Sequence, residues 1–262
     1  MTLKAITLKA MTLKEKLASG QKIAGTMIRL TRNPAVAYLA KNAGLDFVMY
    51  DCEHSNYNFE TLHDAFVTAN ALGFSELVRV PCNTKDYISR ILDTGAIGIM
   101  VPMVETREHA ETVVKYSKYQ PVGDRGYTAG GPHTDYLGGK HTDLMEQGNA
   151  KVLSIAQIET KLAVENAEAI ASVKGIDVLL IGPNDLSLSL GIPGDMMNPI
   201  ELEAIAKVAA ACKKHKKYFG MHAGAALLEK FGADLDVIMS LTDTELLTQG
   251  FAGIRKLADG LK

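Results

Sequence analysis

Two stretches of the chain end an apolar run on a carboxylate. The first is Ile155-Ala156-Gln157-Ile158-Glu159-Thr160. The second, one strand–helix unit later, is Val178-Leu179-Leu180-Ile181-Gly182-Pro183-Asn184-Asp185. Carboxylates at neighbouring strand ends, with water completing the shell, make a hard oxygen site suited to Mg²⁺ or Mn²⁺ with positions left open for a substrate. Each acid also has a plainer use. A strand-end carboxylate pairs with an arginine or caps the following helix, as Asp185 would ahead of Leu186. The pattern alone leaves both uses open.

Other polar residues follow apolar runs elsewhere: Arg29, the phrase Asp51-Cys52-Glu53-His54, Arg79, His222 and Thr242-Asp243. Charged groups placed so close to a core are costly unless paired or metal-bound. A neutral imidazole at His54, beside acids, is suited to general base chemistry near neutral pH, and equally to a hydrogen-bonded rim position. Arg79 lies inside Leu77-Val78-Arg79-Val80-Pro81. It is either a buried ion-pair partner or a cation aimed at a developing oxyanion, and Pro81, ending the strand, places it near the rim. Cys52 and His54 are two apart, but no third orienting group or oxyanion hole accompanies them, so a small buried thiol is the better reading. No lysine sits in a strand-end phrase, which argues against Schiff-base chemistry.

The elements that must position these residues alternate along the chain. Apolar, strand-like segments run at 22–29, 45–50, 76–80, 96–101, 152–158, 176–181, 218–222 and 235–240. Between them lie helical patterns with start and stop signals: Asn33-Pro34, Gly44 and Gly73, Thr106, Asn198-Pro199 with Glu201, and Thr242 with Glu245. Eight strand–helix units in about 250 residues predict a (β/α)₈ TIM barrel, with strand C-terminal ends converging on one face. A doubly wound open sheet is second choice, because the first strand has no Gly-rich dinucleotide loop after it. Residues 120–149, rich in Gly, His, Asp and Tyr, break the rhythm and read as a long irregular loop. No linker divides the chain, so a single barrel domain is expected over residues 15–262. Residues 1–14 contain a five-residue repeat (Thr2-Leu3-Lys4-Ala5, Thr7-Leu8-Lys9-Ala10, Thr12-Leu13-Lys14-Glu15) and read as a helical or disordered N-terminal extension.

Composition excludes some classes. At 262 residues, 47% apolar and 22% charged, with net charge −2, the chain reads as an ordinary globular protein with no nucleic-acid or membrane-surface character. No apolar run is long enough to span a bilayer, and lysines interrupt any signal-peptide pattern. Three cysteines without paired spacing fit a reducing cytoplasm.

Together these phrases resemble the HpcH/HpaI family of metal-dependent (class II) pyruvate aldolases. The resemblance is carried by Asp51-Cys52-Glu53-His54, Val78-Arg79-Val80-Pro81, Leu92-Asp93-Thr94-Gly95, Val101-Pro102-Met103-Val104, Arg125-Gly126, Gln157-Ile158-Glu159-Thr160 and Gly182-Pro183-Asn184-Asp185-Leu186-Ser187. They occur in family order from about Gly25 to Leu190. The resemblance implies reversible cleavage of a 4-hydroxy-2-oxo acid to pyruvate and an aldehyde through an enolate. It implies Glu159 and Asp185 as ligands of a divalent metal (Mg²⁺, Mn²⁺ or Co²⁺). It implies Gln157 and the backbone of Gly182, Pro183 and Asn184 as the pyruvate seat, and Arg79 as the enolate stabiliser. His54, paired with Asp93, would be the acid/base acting on the 4-hydroxyl through a water. It also implies a homo-hexamer in which the C-terminal helix crosses to a neighbouring barrel.

Two phrases depart from the family pattern: the loop Arg125 to His133, and the strand-eight end Ser240-Leu241-Thr242-Asp243. Both are expected to border the aldehyde half of the substrate. Two other readings share the fold: a CoA-ester lyase, for which no basic groove is evident, and a non-catalytic barrel that binds a 2-oxo acid.

Overall fold

The computed structural model describes residues 11–261. Eight parallel strands close into a barrel in sequence order: β1 (Ile23–Ile28), β2 (Phe47–Asp51), β3 (Ser75–Arg79), β4 (Gly98–Val101), β5 (Leu153–Ile158), β6 (Val178–Ile181), β7 (Tyr218–His222) and β8 (Val237–Thr242). The barrel is closed by β1 pairing with β8. The expected (β/α)₈ barrel is therefore the fold.

Period-two alternation sorts each strand between two cores. Ile23, Met27, Phe47, Met49, Leu77 and Ile155 are among the side chains that fill the barrel interior. Tyr50, Val48, Val78, Ala156 and Ile158 point outward into the layer under the helices. A glycine is required at position 25, because a Cβ there would stand 2.5 Å from the Phe47 ring. Following the same alternation upward, Asp51, Arg79, Gln157 and Glu159 face inward above the apolar fill.

The helices are α1 (Leu13–Ala18), α2 (Val36–Asn42), α3 (Phe59–Leu72), α4 (Lys85–Asp93), α5 (Arg107–Ser117), α6 (His141–Lys151), α7 (Lys161–Glu165), α8 (Ala167–Ala171), α9 (Pro183–Ser189), α10 (Pro199–His215), α11 (Ala225–Lys230) and α12 (Asp243–Gly260). Thr12 and Glu15 form a capping box at α1, and Leu13 and Leu17 are buried in the barrel-interior cluster. The boundary expected between residues 14 and 15 thus falls inside a helix that packs on the barrel. Residues 1–10, with the first two copies of the repeat, lie outside the described residues. The expected capping box at Thr242 and Glu245 opens α12.

Two elements differ from expectation. The segment 120–149 contains a 3₁₀ turn (Pro132–Thr134) and enters α6, a helix with no buried residue and therefore no apolar periodicity to announce it. The helix expected over 161–171 is broken at Asn166, whose side chain donates to the Glu105 carbonyl instead of facing solvent. The last helix is unusual in another way. Phe251, Ile254 and Leu257 of α12 are about two-thirds exposed, so they find no cover among the described residues.

One outward-facing acid stands in the helix layer. Glu76 is 2% exposed, and neither carboxylate oxygen has a hydrogen-bond partner among the described residues. Burial pushes this acid up to about 8 from an ordinary value of 4.5. Between those values the unfolded chain ionises and the folded chain does not, so stability falls as pH rises through that window, and the full penalty applies above it. At roughly 1.4 kcal/mol per unit, the penalty is on the order of a few kcal/mol. Glu76→Gln is therefore expected to match the parent in urea unfolding at pH 5 and to exceed it at pH 9. A difference that does not grow with pH would refute the assignment.

Candidate active site

The C-terminal ends of the strands open onto a cavity of about 680 Å³, lined by His54, Arg79, Gln157, Asp185, His222 and Glu245 among others. Parallel pairing of β2 and β3 sets Asp51 opposite Arg79. The two side chains meet as a fork: Arg79 Nε donates to Asp51 Oδ1 at 2.9 Å and Nη2 to Oδ2 at 2.8 Å. Asp51 is fully buried and Arg79 is 7% exposed. Burial works to raise the Asp51 carboxyl, but the hydrogen bonds and charge of Arg79 outweigh it and hold that acid below its ordinary range. Burial likewise works against the Arg79 cation, and Asp51 more than restores it. The remaining nitrogen, Nη1, lies 3.1 Å from Glu53 Oε2.

Asp51 also organises the loop behind β2. Its Oδ1 accepts from the backbone N–H of Glu53 at 3.1 Å and of His54 at 3.2 Å. The His54 ring is half exposed, with Nε2 3.7 Å from Glu53 Oε2. It stands at the edge of the mouth, open to solvent and to whatever the cavity holds.

On the opposite wall, Gln157 and Glu159 rise from β5. Glu159 is 2% exposed and accepts from the Met103 backbone N–H at 2.8 Å and from Gln157 Nε2. That bond fixes the Gln157 amide orientation, since its flipped form would set two acceptors against each other. It leaves Gln157 Oε1 buried without a partner among the described residues. Burial, reinforced by Glu53 and Asp185 and only partly opposed by the Met103 N–H and Arg79, pushes Glu159 up to about 7. Asp185 lies in the first turn of α9, behind Gly182, and does not itself cap that helix.

This wall fits a hard dication. Glu159 and Asp185 are close enough to repel, and an orphaned oxygen acceptor sits beside them. A charge of +2 between them would relieve both deficits. Among the described residues no group of three or more His, Cys, Asp or Glu converges on one point, so a dication held here would have two carboxylates from the chain and would take its other ligands from water and substrate. Space here depends on Gly182, where a Cβ would come within 2.7 Å of both Glu159 Oε2 and Gln157 Nε2.

Asp93 is not beside His54. It ends α4, which runs back down the barrel, and so lies at the opposite, N-terminal face, where it accepts from Arg125 Nη2 at 2.6 Å. The segment 120–149 is at that face too, because it joins the end of α5 to the start of β5. Within one chain it cannot border the substrate, contrary to expectation. The strand-eight phrase does reach the mouth, where Ser240, Leu241 and Thr242 line the cavity. Sequence reasoning gave no role to Asp51, Glu53 or the Met103 amide. The pairing register β2–β3 was the signal that could have found Asp51.

A closed parallel barrel whose strand C-terminal ends carry buried, paired and unpaired charged groups around a cavity has the architecture of a barrel enzyme. Residues 27–240 match the HpcH/HpaI aldolase/citrate lyase family, and the chain belongs to that family. It is, with that family, a carbon–carbon lyase, and a divalent metal belongs to its chemistry. The chain is 32% identical over 260 residues to 5-keto-4-deoxy-D-glucarate aldolase of Klebsiella pneumoniae, covering 95% of this chain and 96% of that one. It is 38% identical over 208 residues to 4-hydroxy-2-oxovalerate aldolase of Novosphingobium aromaticivorans, covering 76% and 77%. The crystal structure of an HpcH/HpaI aldolase from Desulfitobacterium hafniense superposes with a TM-score of 0.89 at 33% identity, covering 95% and 97%.

Gly182→Ala is expected to displace the Glu159 carboxylate while leaving the barrel folded. Mn²⁺ affinity, followed by water-proton relaxation, should fall at least tenfold with little change in melting temperature. Unaltered affinity would show that Glu159 does not need the space at Gly182.

Proposed function

We propose that this protein cleaves a 4-hydroxy-2-oxo acid to pyruvate and an aldehyde, and runs the reverse condensation. The observation that carries the reading is the closeness of buried Glu159 to Asp185, whose charge helps push the Glu159 acid up, with Asp185, Gln157 and Arg79 lining one cavity. Glu159 and Asp185 would hold a divalent ion, Mg²⁺, Mn²⁺ or Co²⁺, which supplies a Lewis acid at the 2-oxo group when bound. Gln157 and the backbone of Gly182, Pro183 and Asn184 would seat the pyruvate half, with the orphaned Gln157 Oε1 left to accept from a water.

Arg79 is held by Asp51 and cannot swing away. It presents a fixed positive charge where negative charge grows on the 2-oxo oxygen as the C3–C4 bond breaks. His54 would take the 4-hydroxyl proton in cleavage and return it in synthesis. Its exposed edge position suits a group that must meet a proton carried by substrate or water. Among the described residues that line the mouth there is no lysine, which supports the enolate route over a Schiff base.

Asp93 can meet His54 only from another copy of the chain, since its own lies at the far end of the barrel. A homo-oligomer, hexameric by resemblance, would bring the two faces together. The uncovered apolar residues of α12 support such an assembly, with this helix packing on a neighbouring barrel. A cytoplasmic setting fits the free thiols of Cys52, Cys82 and Cys212. No helix among the described residues is long and apolar enough to cross a membrane.

Pyruvate incubated with the protein and Mn²⁺ in D₂O should lose its methyl-proton NMR signal. EDTA should abolish the exchange, and Glu159→Ala or Asp185→Ala should lower it by at least a hundredfold. Exchange that survives EDTA would sink the metal-held reading. For the assembly, Phe251→Asp with Ile254→Asp is expected to shift the protein to smaller species in sedimentation velocity without loss of helical signal. An unchanged sedimentation coefficient would remove α12 from the interface.

A further inference from the structure

His222 ends β7 and takes no part in the chemistry proposed above. Parallel pairing sets it beside Met239 of β8, a member of the barrel-interior cluster, so the imidazole points inward, and it lines the mouth. Its Nε2 lies 3.0 Å from the Leu241 carbonyl, which can only accept, so in the neutral ring the proton is on Nε2 and Nδ1 carries a lone pair. Burial, with Arg79 adding to it, keeps the imidazole below its ordinary value although the Leu241 carbonyl pulls the other way. The neutral form is therefore the one present near pH 7. Nδ1 has no hydrogen-bond partner among the described residues, yet it is not one of the enclosed polar atoms, so its accessible surface belongs to the mouth.

The mouth divides by strand. On the aldol reading, Arg79, Gln157 and Asp185 serve the pyruvate half and His54 meets the 4-hydroxyl. What remains for the group carried on C4 is the sector of β7 and β8, lined by His222, Ser240, Leu241, Thr242 and Thr244. The hydroxyls of that sector spend their protons inside the wall. Ser240 Oγ donates to the Ala223 carbonyl at 3.0 Å and Thr242 Oγ1 to Glu245 Oε2 at 2.8 Å, which leaves Thr244 Oγ1 to donate to Thr242 Oγ1 at 2.8 Å. Arg29, beside this sector, is occupied through Nε by Asp51 at 3.3 Å and through Nη2 by the His54 carbonyl at 3.4 Å. The side chains of the β7–β8 wall thus accept hydrogen bonds and have none left to donate.

A wall of acceptors selects the chemistry that meets it. A methyl group there would strip water from Nδ1 and leave it unpaired, and a carboxylate would set lone pairs against lone pairs. An alcohol donates and fits. We propose that His222 is the specificity residue for the aldehyde half, its Nδ1 accepting from a hydroxyl on the carbon next to the aldehyde carbonyl, so that the preferred partner of pyruvate is a short 2-hydroxyaldehyde. This rests on the aldol reading of the same site. The hydroxyl is a spectator in the bond change: in condensation pyruvate loses a methyl proton, its C3 joins the aldehyde carbon, and the aldehyde oxygen takes up a proton. Its effect is one of binding, carried into the transition state.

Condensation with Mn²⁺ and saturating pyruvate tests this, with kcat/KM measured for glycolaldehyde, acetaldehyde and glyoxylate. The glycolaldehyde-to-acetaldehyde ratio should fall about tenfold or more from the parent to His222→Leu. Comparing ratios cancels the intrinsic reactivity of each aldehyde and any loss of folded or metal-loaded protein. His222→Asn, which can place an amide oxygen where Nδ1 stood, should stay within about threefold of the parent's ratio. The role of His222 is overturned if His222→Leu leaves the ratio unmoved, if His222→Asn loses it equally, or if glyoxylate is the parent's best acceptor. Methyl-proton exchange of pyruvate in the parent separates the two levels. Exchange alongside any of those outcomes removes His222 alone, whereas absent exchange removes the aldol reading and this inference with it.

Discussion

A guanidinium inside a barrel is tolerable only if something holds its charge, and here that is Asp51. The carboxylate is fully buried and spans the Arg79 fork through both oxygens. Removing one member of such a pair strands the other's charge in a low-dielectric setting, which is far costlier than never having built the pair. The same Oδ1 that receives Arg79 Nε also receives the amides of Glu53 and His54. One acid therefore sets the direction of the cation and the path of the loop that carries the imidazole. Because β2 and β3 are parallel and in fixed register, this geometry follows from strand pairing and needs no loop to be rigid on its own.

The facing wall is built on the opposite principle. Glu159 has two hydrogen-bond donors, yet its acid is still pushed up, because burial and two neighbouring carboxylates outweigh them. The nearby cation, Arg79, is already committed to Asp51. The mouth thus has a satisfied side and a frustrated side. Frustration in a buried polar cluster is a cost to the empty protein and a driving force for whatever relieves it. A divalent ion held there would relieve it by charge.

Much of this was readable without coordinates, for physical reasons. The barrel followed from eight apolar runs separated by capped amphipathic stretches. The inward-facing chemistry followed from polar residues that appear where each run stops, since strand ends converge on one face of a closed barrel. Asp185, Arg79, His54 and Glu159 were singled out that way; the first three line one cavity and Glu159 is buried close to Asp185, while Gln157, also in the lining, entered only through the family resemblance. What could not be read is which end of a helix a residue occupies relative to the mouth. Asp93 sits in a phrase as distinctive as the others, but a helix antiparallel to its strand carries its last residue to the far face. The α6 helix was equally silent, because a helix with no buried residue leaves no periodic trace. Nor does a sequence show register, so the partner of Arg79 stayed unidentified although it was in view.

Two non-glycine residues at the mouth hold left-handed backbone, Met103 at φ 52° and Leu241 at φ 58°. Such positions typically cost about 1–2 kcal/mol each and persist only where the surroundings over-determine them. Each follows directly on a barrel strand or lies at its end, and each turns a peptide group toward the cavity wall. The Met103 amide donates to Glu159 Oε1, while the Leu241 carbonyl accepts from Thr26 Oγ1 and from His222 Nε2, both at 3.0 Å. The second contact commits His222 Nε2 as a donor and leaves Nδ1 as the acceptor in the neutral ring, the form that burial favours. Backbone strain at this rim therefore does what side chains cannot. It fixes one hydrogen bond on Glu159 and one tautomer on the far wall, with no added charge in a mouth that already carries an excess of acid.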